Sequence, residues 1–233
     1  MHRGFVNDPQ SIVFVVDDEA TVRRSLERLL RASGHTVETF ATASDFLSRK
    51  DPGVPCCLLL DIRMPTLTGL DVQRAINDGG RALPIIFMTG FSDVESCVLG
   101  MKAGAADFLM KPFDEDQLLA SVASALSRSS EIRLARAERA ELEHRLAALT
   151  PRELQVFLLV VKGLLNKQIA GRLGTKEGTV KLHRANVMRK LQAQSVADLV
   201  RMADRLEGVG AGETDPQDAQ RRSGQHPQVA SAI

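Results

Sequence analysis

Five short apolar runs, rich in β-branched side chains, recur through the first 113 residues, at 12–16, 36–40, 56–60, 84–88 and 107–110. Between them lie stretches of helical spacing: Val22, Leu26, Leu29 and Leu30, then 67–76 and, less cleanly, 94–103. Repeated strand–helix units imply a parallel sheet with helices on both faces. The runs at 12–16, 56–60 and 84–88 are nearly continuously apolar rather than alternating, as strands covered on both faces must be. The pattern predicts an α/β, doubly wound domain over residues 10–125. Sheets of this kind gather their chemistry beyond the carboxyl ends of the strands, where strand order reverses.

What stands at those ends is polar. The first run is followed by Asp17 and Asp18, and the fourth by Thr89. The fifth is followed by Lys111 and Pro112. Residues 57–65 read CLLLDIRMP, so the third run closes on Asp61, and Pro65 keeps the next loop out of helix. Three converging carboxylates repel one another and would take up protons. A hard divalent cation relieves that, and carboxylate oxygen is what Mg²⁺ prefers, with Mn²⁺ as a substitute. Asp61 emerges singly from the central strand and is the natural nucleophile; its attack on phosphorus would give an aspartyl phosphate. The transferred group develops charge on its equatorial oxygens. The Lys111 ammonium and the Thr89 hydroxyl are suited to two of them and the cation to the third.

The rest of the chain differs in character. Residues 114–149 lack Gly and Pro and hold Leu118, Leu119, Val122, Leu126, Leu142, Leu146 and Leu149 at a loose helical period. They read either as one long helix, weakest at Ser127, Ser129 and Ser130, or as a packing helix followed by a charged linker over 126–149. Residues 150–207 look all-helical. Thr150-Pro151 with Glu153 is a strong helix start. The tail, 208–233, is polar and turn-rich and is expected to be disordered.

Net charge is +1, but unevenly spread: 12 Lys/Arg face 14 Asp/Glu over 1–113, whereas 11 face 5 over 150–207. Only the back of the chain is suited to a polyanion. Cys56, Cys57 and Cys97 lack metal-ligand spacing and read as core residues of a reducing compartment. No apolar run approaches the roughly 20 residues that span a bilayer. The start, MHRGFVNDPQ, lacks the apolar middle of a secretory signal. A cytoplasmic location is expected.

Within the basic part, 166–173 and 179–191 are short helical stretches parted by Gly174 and a few polar residues, the spacing of a helix-turn-helix. With Val180 at zero on a helical wheel, Val187 and Leu191 fall within about 20° of it. Lys181, Leu182, Ala185 and Arg189 fall opposite, and those four should enter a major groove. Lys181 and Arg189 suit guanine acceptors; Leu182 and Ala185 suit thymine methyls. Thr179, His183, Arg184 and Lys190 lie on the flanks, where phosphates would be, and Lys167 and Arg172 add contacts from the first helix.

These motifs carry a resemblance. DD at 17–18, DIRMP at 61–65, TG at 89–90 and KP at 111–112 resemble the receiver domain of two-component response regulators. TPREL at 150–154, NKQIAGRLG at 166–174 and GTVKLHRANVMRKL at 178–191 resemble the LuxR-type DNA-binding domain. Together they resemble the FixJ/NarL class, and within it regulators of the StyR/TodT kind. Leu165, where many members carry a small or polar residue, departs from the pattern. The resemblance implies sheet order 2-1-3-4-5 and phosphorylation of Asp61 by a sensor histidine kinase. It implies Mg²⁺ on Asp18, Asp61 and the Arg63 carbonyl, with Asp17 helping through water, and a cis peptide before Pro112. Phe108 matches the family's switch aromatic, which swings inward as Thr89 turns toward the phosphoryl group; otherwise it is a core ring.

The expected protein is therefore a transcription factor switched by phosphorylation. The changed surface of the fourth helix, fifth strand and fifth helix would pair two receivers and bring two DNA readers to neighbouring half-sites of promoter DNA. Val196, Leu199, Val200 and Ala203 form a stripe that either adds a second dimer contact or closes the small domain's core. RNA polymerase is a candidate further partner. An aspartate-nucleophile phosphatase would need an acid at position 63, which is Arg. The chain is thus expected to be no enzyme beyond its own phosphorylation and dephosphorylation. A receiver that is never phosphorylated and only dimerises is disfavoured by the complete pocket.

Overall fold

The computed structural model describes residues 11–90 and 94–207; the expectations for the first ten residues and for the tail 208–233 lie outside them. The chain divides into two units, one up to Arg136 and one from Ala137. Among the described residues no helix is long and apolar enough to cross a membrane.

The first unit is built on a parallel sheet of β1 (Ile12–Val16), β2 (Thr36–Phe40), β3 (Cys56–Asp61), β4 (Ile85–Thr89) and β5 (Asp107–Met110). Its order, β2-β1-β3-β4-β5, is the expected one. Two edges differ from the sequence reading. β3 runs on to include Asp61, and β4 begins after Pro84, which has no N–H to give the ladder but whose carbonyl accepts from Leu58 N at 2.9 Å.

Pleating sorts the side chains into two layers. Val13, Val15, Cys57, Leu59, Ile86 and Met88 pack under α1 (Ala20–Ala32) and the start of α5 (Glu115–Ala147), through Leu26, Leu30, Leu118 and Val122. Phe14, Val16, Leu58, Leu60 and Phe87 pack on the other face against α2 (Ala43–Leu47), α3 (Gly69–Asp78) and α4 (Val94–Lys102), through Phe46, Val72, Ile76 and Cys97. Each such aliphatic or aromatic side chain contributes about 1.5–3 kcal/mol by leaving water. The three cysteines are buried, in line with the core reading. α2 was not anticipated. Its five residues are too few to show a period, and it starts where the Thr42 side chain accepts from Asp45 N.

Close packing brings α3 and α4 onto the sheet. A Cβ at Gly69 would lie 2.7 Å from the Asp61 carbonyl oxygen, and one at Gly100 would lie 2.6 Å from the Phe87 ring. Only glycine fits at either position. Gln73, buried, donates to the Gly100 carbonyl at 3.0 Å and ties α3 to α4.

The open question over 114–149 resolves as a single helical element, α5, running through the serines. Ser129 is buried, and its hydroxyl accepts from the Cys56 N–H at 3.0 Å, which gives the first residue of β3 a partner. Arg133 pairs with Asp51 at 3.2 Å and Arg136 donates to the Gly80 carbonyl at 3.0 Å.

The second unit contains α6 (Pro151–Val161), α7 (Asn166–Leu173), α8 (Glu177–Lys190) and α9 (Val196–Glu207). Thr150 and Glu153 form a reciprocal capping box at the start of α6. α8 begins two residues earlier than the spacing suggested. Val156, Phe157, Val160, Ile169, Val180, Val187, Leu191 and Leu199 form the core, with Leu146 and Leu149 packed against it. Leu199 is fully buried and Ala203 packs on the same cluster, so these two close the core of their own domain, whereas Val196 of the same stripe stands exposed.

Candidate functional site

β1 lies beside β3, with Val16 paired to Leu60, so the residues that follow each strand meet above the sheet. One carboxylate oxygen each from Asp17, Asp18 and Asp61 lies within 4.8 Å of the others. Asp17 is fully buried and Asp61 nearly so, while Asp18 is exposed. Lys111, from beyond β5, sends its ammonium to 3.0 Å from Asp17 Oδ2 and 3.4 Å from Asp61 Oδ2. Asp17 Oδ1 accepts from the Glu19 N–H at 2.8 Å, and the Asp17 carbonyl accepts from Arg23 at 2.6 Å. The acids of this corner are therefore held by main chain as well as by charge.

Burial pushes the Asp61 carboxyl above its ordinary value, Lys111 opposes that, and the Asp17 charge adds to it. Burial alone would lower the Lys111 ammonium, but its bonds and charge contacts with Asp17 and Asp61 outweigh this and raise it. The arrangement is one cation against three carboxylates, an excess of negative charge built from hard oxygen donors. That donor set fits Mg²⁺ or Mn²⁺.

Thr89 is buried at the end of β4, where its hydroxyl donates to the Gly90 carbonyl at 3.2 Å. Its own carbonyl accepts from Lys111 N at 2.6 Å, which sets the loop that carries the lysine. The Lys111–Pro112 peptide is cis. The Arg63 main chain bonds to the Asp61 carboxylate and helps stabilise its charge. Phe108 points outward, 39% exposed, and borders an apolar groove with Cys97, Val98, Met101, Lys102 and Met110. Burial lowers His35, which lies away from these groups.

In the second unit α8 sorts its side chains nearly as the wheel predicts. Val180 and Val187 are buried, whereas Thr179, Lys181, Leu182, Ala185 and Arg189 are exposed. Lys167 and Arg172 of α7 are exposed too, and His183 is half-buried. Two flank cations make contacts within the domain that the wheel does not show. Lys190 turns inward, 2.7 Å from Glu153 Oε2 and 3.0 Å from the Ala148 carbonyl. Arg184 donates to Asn166 Oδ1 at 3.0 Å. The wheel places the start of a side chain, not the end of a long one, and both of these reach polar partners at the core margin.

Glu153 is the residue that sequence reasoning valued only as a cap. It is buried, bonded to Lys190 and to Thr150, and held down at a pKa of about 2 by the Lys190 bond first and the Thr150 N–H second. Its partner stands 37 positions away. No local pattern announces such a pair.

Comparison with known proteins agrees with this geometry. Residues 13–123 match the family described as response regulator receiver domain, and 147–203 match the bacterial regulatory proteins of the luxR family. Nodulation protein W of Bradyrhizobium diazoefficiens is 44% identical over 206 residues, 88% of this chain and 90% of the relative. Response regulator protein TodT of Pseudomonas putida is 42% identical, covering 86% and 88%. The solved structure of response regulator StyR is 45% identical, with a TM-score of 0.76 over 84% of this chain and 99% of the other. A pocket of acids and one lysine over a β2-β1-β3-β4-β5 sheet, followed by a helix-turn-helix, thus has relatives along nearly its whole length: the chain belongs to the response regulators that join a receiver domain to a LuxR-type DNA-binding domain.

Proposed function

We propose that Asp61 is the phosphoacceptor of this response regulator, with a sensor histidine kinase as donor. The observation that carries the reading is the placement of Lys111 between Asp17 and Asp61. An Asp61 oxygen attacks the phosphorus of the kinase phosphohistidine, the P–N bond breaks, and the imidazole leaves with its electron pair. Lys111 moves from its carboxylate partners to a phosphoryl oxygen, and the Thr89 hydroxyl leaves the Gly90 carbonyl for another. Asp17, Asp18, Asp61 and the Arg63 carbonyl would hold Mg²⁺ or Mn²⁺, which when bound offsets the phosphoryl charge. As Thr89 moves, Phe108 swings from the solvent into the space it vacates. The groove beside it on α4 and β5 changes shape, and two receivers pair there.

The functional division follows residues 10–125 for the receiver, 126–149 for the linker and 150–207 for the DNA reader. Lys181, Leu182, Ala185 and Arg189 read bases, while Thr179, His183, Lys167 and Arg172 hold phosphates. Arg184 and Lys190 lie on the same flank, each held by a partner within the domain, Asn166 and Glu153. The chain works in the cytoplasm, with RNA polymerase as a further partner on DNA. It catalyses no reaction beyond its own phosphorylation and dephosphorylation.

The test is labelling by a small phosphodonor with Mg²⁺. Wild type should take up one phosphoryl group per chain and gain affinity for DNA fragments selected from a genome, and Asp61→Asn should do neither. Labelling that persists in Asp61→Asn, or repeated turnover of a phosphate ester, would end this reading.

A further inference from the structure

The Arg184 guanidinium is turned away from the face of α8 that carries the exposed side chains. On the wheel it stands about 40° from Val180, next to the buried stripe, since four residues advance a helix by about 400°. It is half-buried, in contrast to Lys181, Ala185 and Arg189. Nη1 donates at 3.0 Å to the carboxamide oxygen of Asn166, the first residue of α7 and itself half-buried.

A guanidinium brought toward an apolar margin is costly unless it is hydrogen-bonded. It also stands at the amino end of α7, where the helix dipole disfavours a cation. Asn166 compensates as a neutral acceptor held on the helix itself. Ile169, Ala170, Val180 and Val187 press α7 and α8 together. Such apolar contacts draw the helices together without themselves being directional. A charged hydrogen bond at the first turn of α7 adds a directional contact to them.

We propose that Arg184 and Asn166 are a positioning pair: their hydrogen bond sets the seating of α8 on α7, and through it the aim of Lys181 and Arg189 at base edges. This rests on the reading of α8 as the DNA-reading helix. Neither residue of the pair need touch a base for sequence preference to depend on it, and Arg184 is then not a phosphate anchor.

The experiment uses the full-length chain and the duplex that wild type enriches from a random-sequence library, with an unrelated duplex as reference. Asn166→Ala, Arg184→Ala, the double variant and Asn166→Asp are compared after circular dichroism confirms each is folded at the temperature used. Asn166→Ala should lose roughly tenfold in affinity for the enriched duplex, the order of one hydrogen bond to a charged group, and much less for the reference. The double variant should be no worse than Arg184→Ala, because both remove one interaction. The salt slope of binding should stay that of wild type in all of them. Asn166→Asp, which keeps an acceptor, should retain the preference and shows that any loss in Asn166→Ala is not simple unfolding. The proposal is overturned if Asn166→Ala keeps wild-type preference. It is equally overturned if Arg184→Ala weakens both duplexes alike and its slope falls by about one unit, the mark of a lost phosphate contact. Wild type that enriches no duplex would defeat the DNA-reader assignment and this proposal with it; enrichment by wild type with an indifferent Asn166→Ala defeats this proposal alone.

Discussion

Lys111 Nζ lies 3.0 Å from Asp17 Oδ2, joining two residues 94 positions apart at the edge of a cluster that still holds more carboxylates than cations. The cluster therefore carries an electrostatic cost of its own. Function keeps charges together that stability alone would separate.

This cost predicts the behaviour of Asp61→Asn. The folded carboxyl of Asp61 is raised, chiefly by burial. A group raised on folding contributes stability that is complete below its unfolded value, near pH ~4, and is lost as pH rises through the folded value. At neutral pH the ionised Asp61 is thus a burden. Asn removes it, and the variant should be more stable than wild type by about 1 kcal/mol in urea unfolding. The gap should shrink toward about pH 4 and narrow again when millimolar Mg²⁺ binds wild type alone. An Asp61→Asn protein less stable than wild type at neutral pH contradicts the account.

Glu153 makes the opposite case. Its folded pKa is held down at about 2, by Lys190 first and Thr150 next. A depressed acid contributes stability that is present above its unfolded value of about 4.3 and is lost as pH falls toward the folded one. Glu153→Gln leaves the Lys190 ammonium without its carboxylate at a buried margin, and should cost about 1–3 kcal/mol at neutral pH. The difference between variant and wild type should diminish as pH is lowered from about 4.3 to about 2. Thermal unfolding followed by circular dichroism across that range decides it; equal midpoints at neutral pH would remove Glu153 from any stabilising role.

The parts of this molecule that were legible in the sequence are those written in short-range pattern. Apolar runs that lead into a polar residue mark four of the five strands and the pocket together, because a residue at a strand tip is both the end of a run and a member of the site. Sheet order came only with the family resemblance, since spacing fixes βα alternation but not which strands are neighbours. Illegible were the links made by one atom across long separations: Lys190 to Glu153, Arg184 to Asn166, Gln73 to Gly100. A wheel places Cβ atoms, and a long cation can turn back from there. No local pattern singles out the glycines at 69 and 100 either, yet each meets a neighbour that leaves no room for a Cβ.

Ser129 is another such link, and it yields a third expectation. Serine in the middle of a helix is a mild liability, and three in four residues looked like a weak point. The Ser129 hydroxyl nevertheless supplies the acceptor for the buried Cys56 N–H. Ser129→Ala improves helix propensity but orphans that donor, and should destabilise the first unit by about 1–2 kcal/mol, with faster hydrogen exchange at Cys56. Ser127→Ala, at an exposed position, should be neutral or slightly stabilising. The same response from both serines would show that Ser129 has no special partner.

The last expectation concerns Leu165, which stands at the start of α7. It precedes α7 with extended backbone, φ −75° and ψ 155°, which is the N-cap conformation. Its own N–H is satisfied by Gln168 Oε1 at 2.8 Å, half of a capping box. The other half is missing because a leucine side chain has no acceptor for the Gln168 N–H, and the side chain stands 68% exposed. Leu165→Thr places a hydroxyl where the box requires one and should stabilise α7 by about 0.5–1 kcal/mol. Leu165→Ala removes the same exposed apolar surface without adding an acceptor and separates capping from surface effects. The chain has no Trp or Tyr, so the natural readout is amide exchange along α7 rather than intrinsic fluorescence. Slower exchange at the first turn in the threonine variant and not in the alanine one is expected. If both variants slow exchange equally, the gain comes from removing leucine and the cap plays no part.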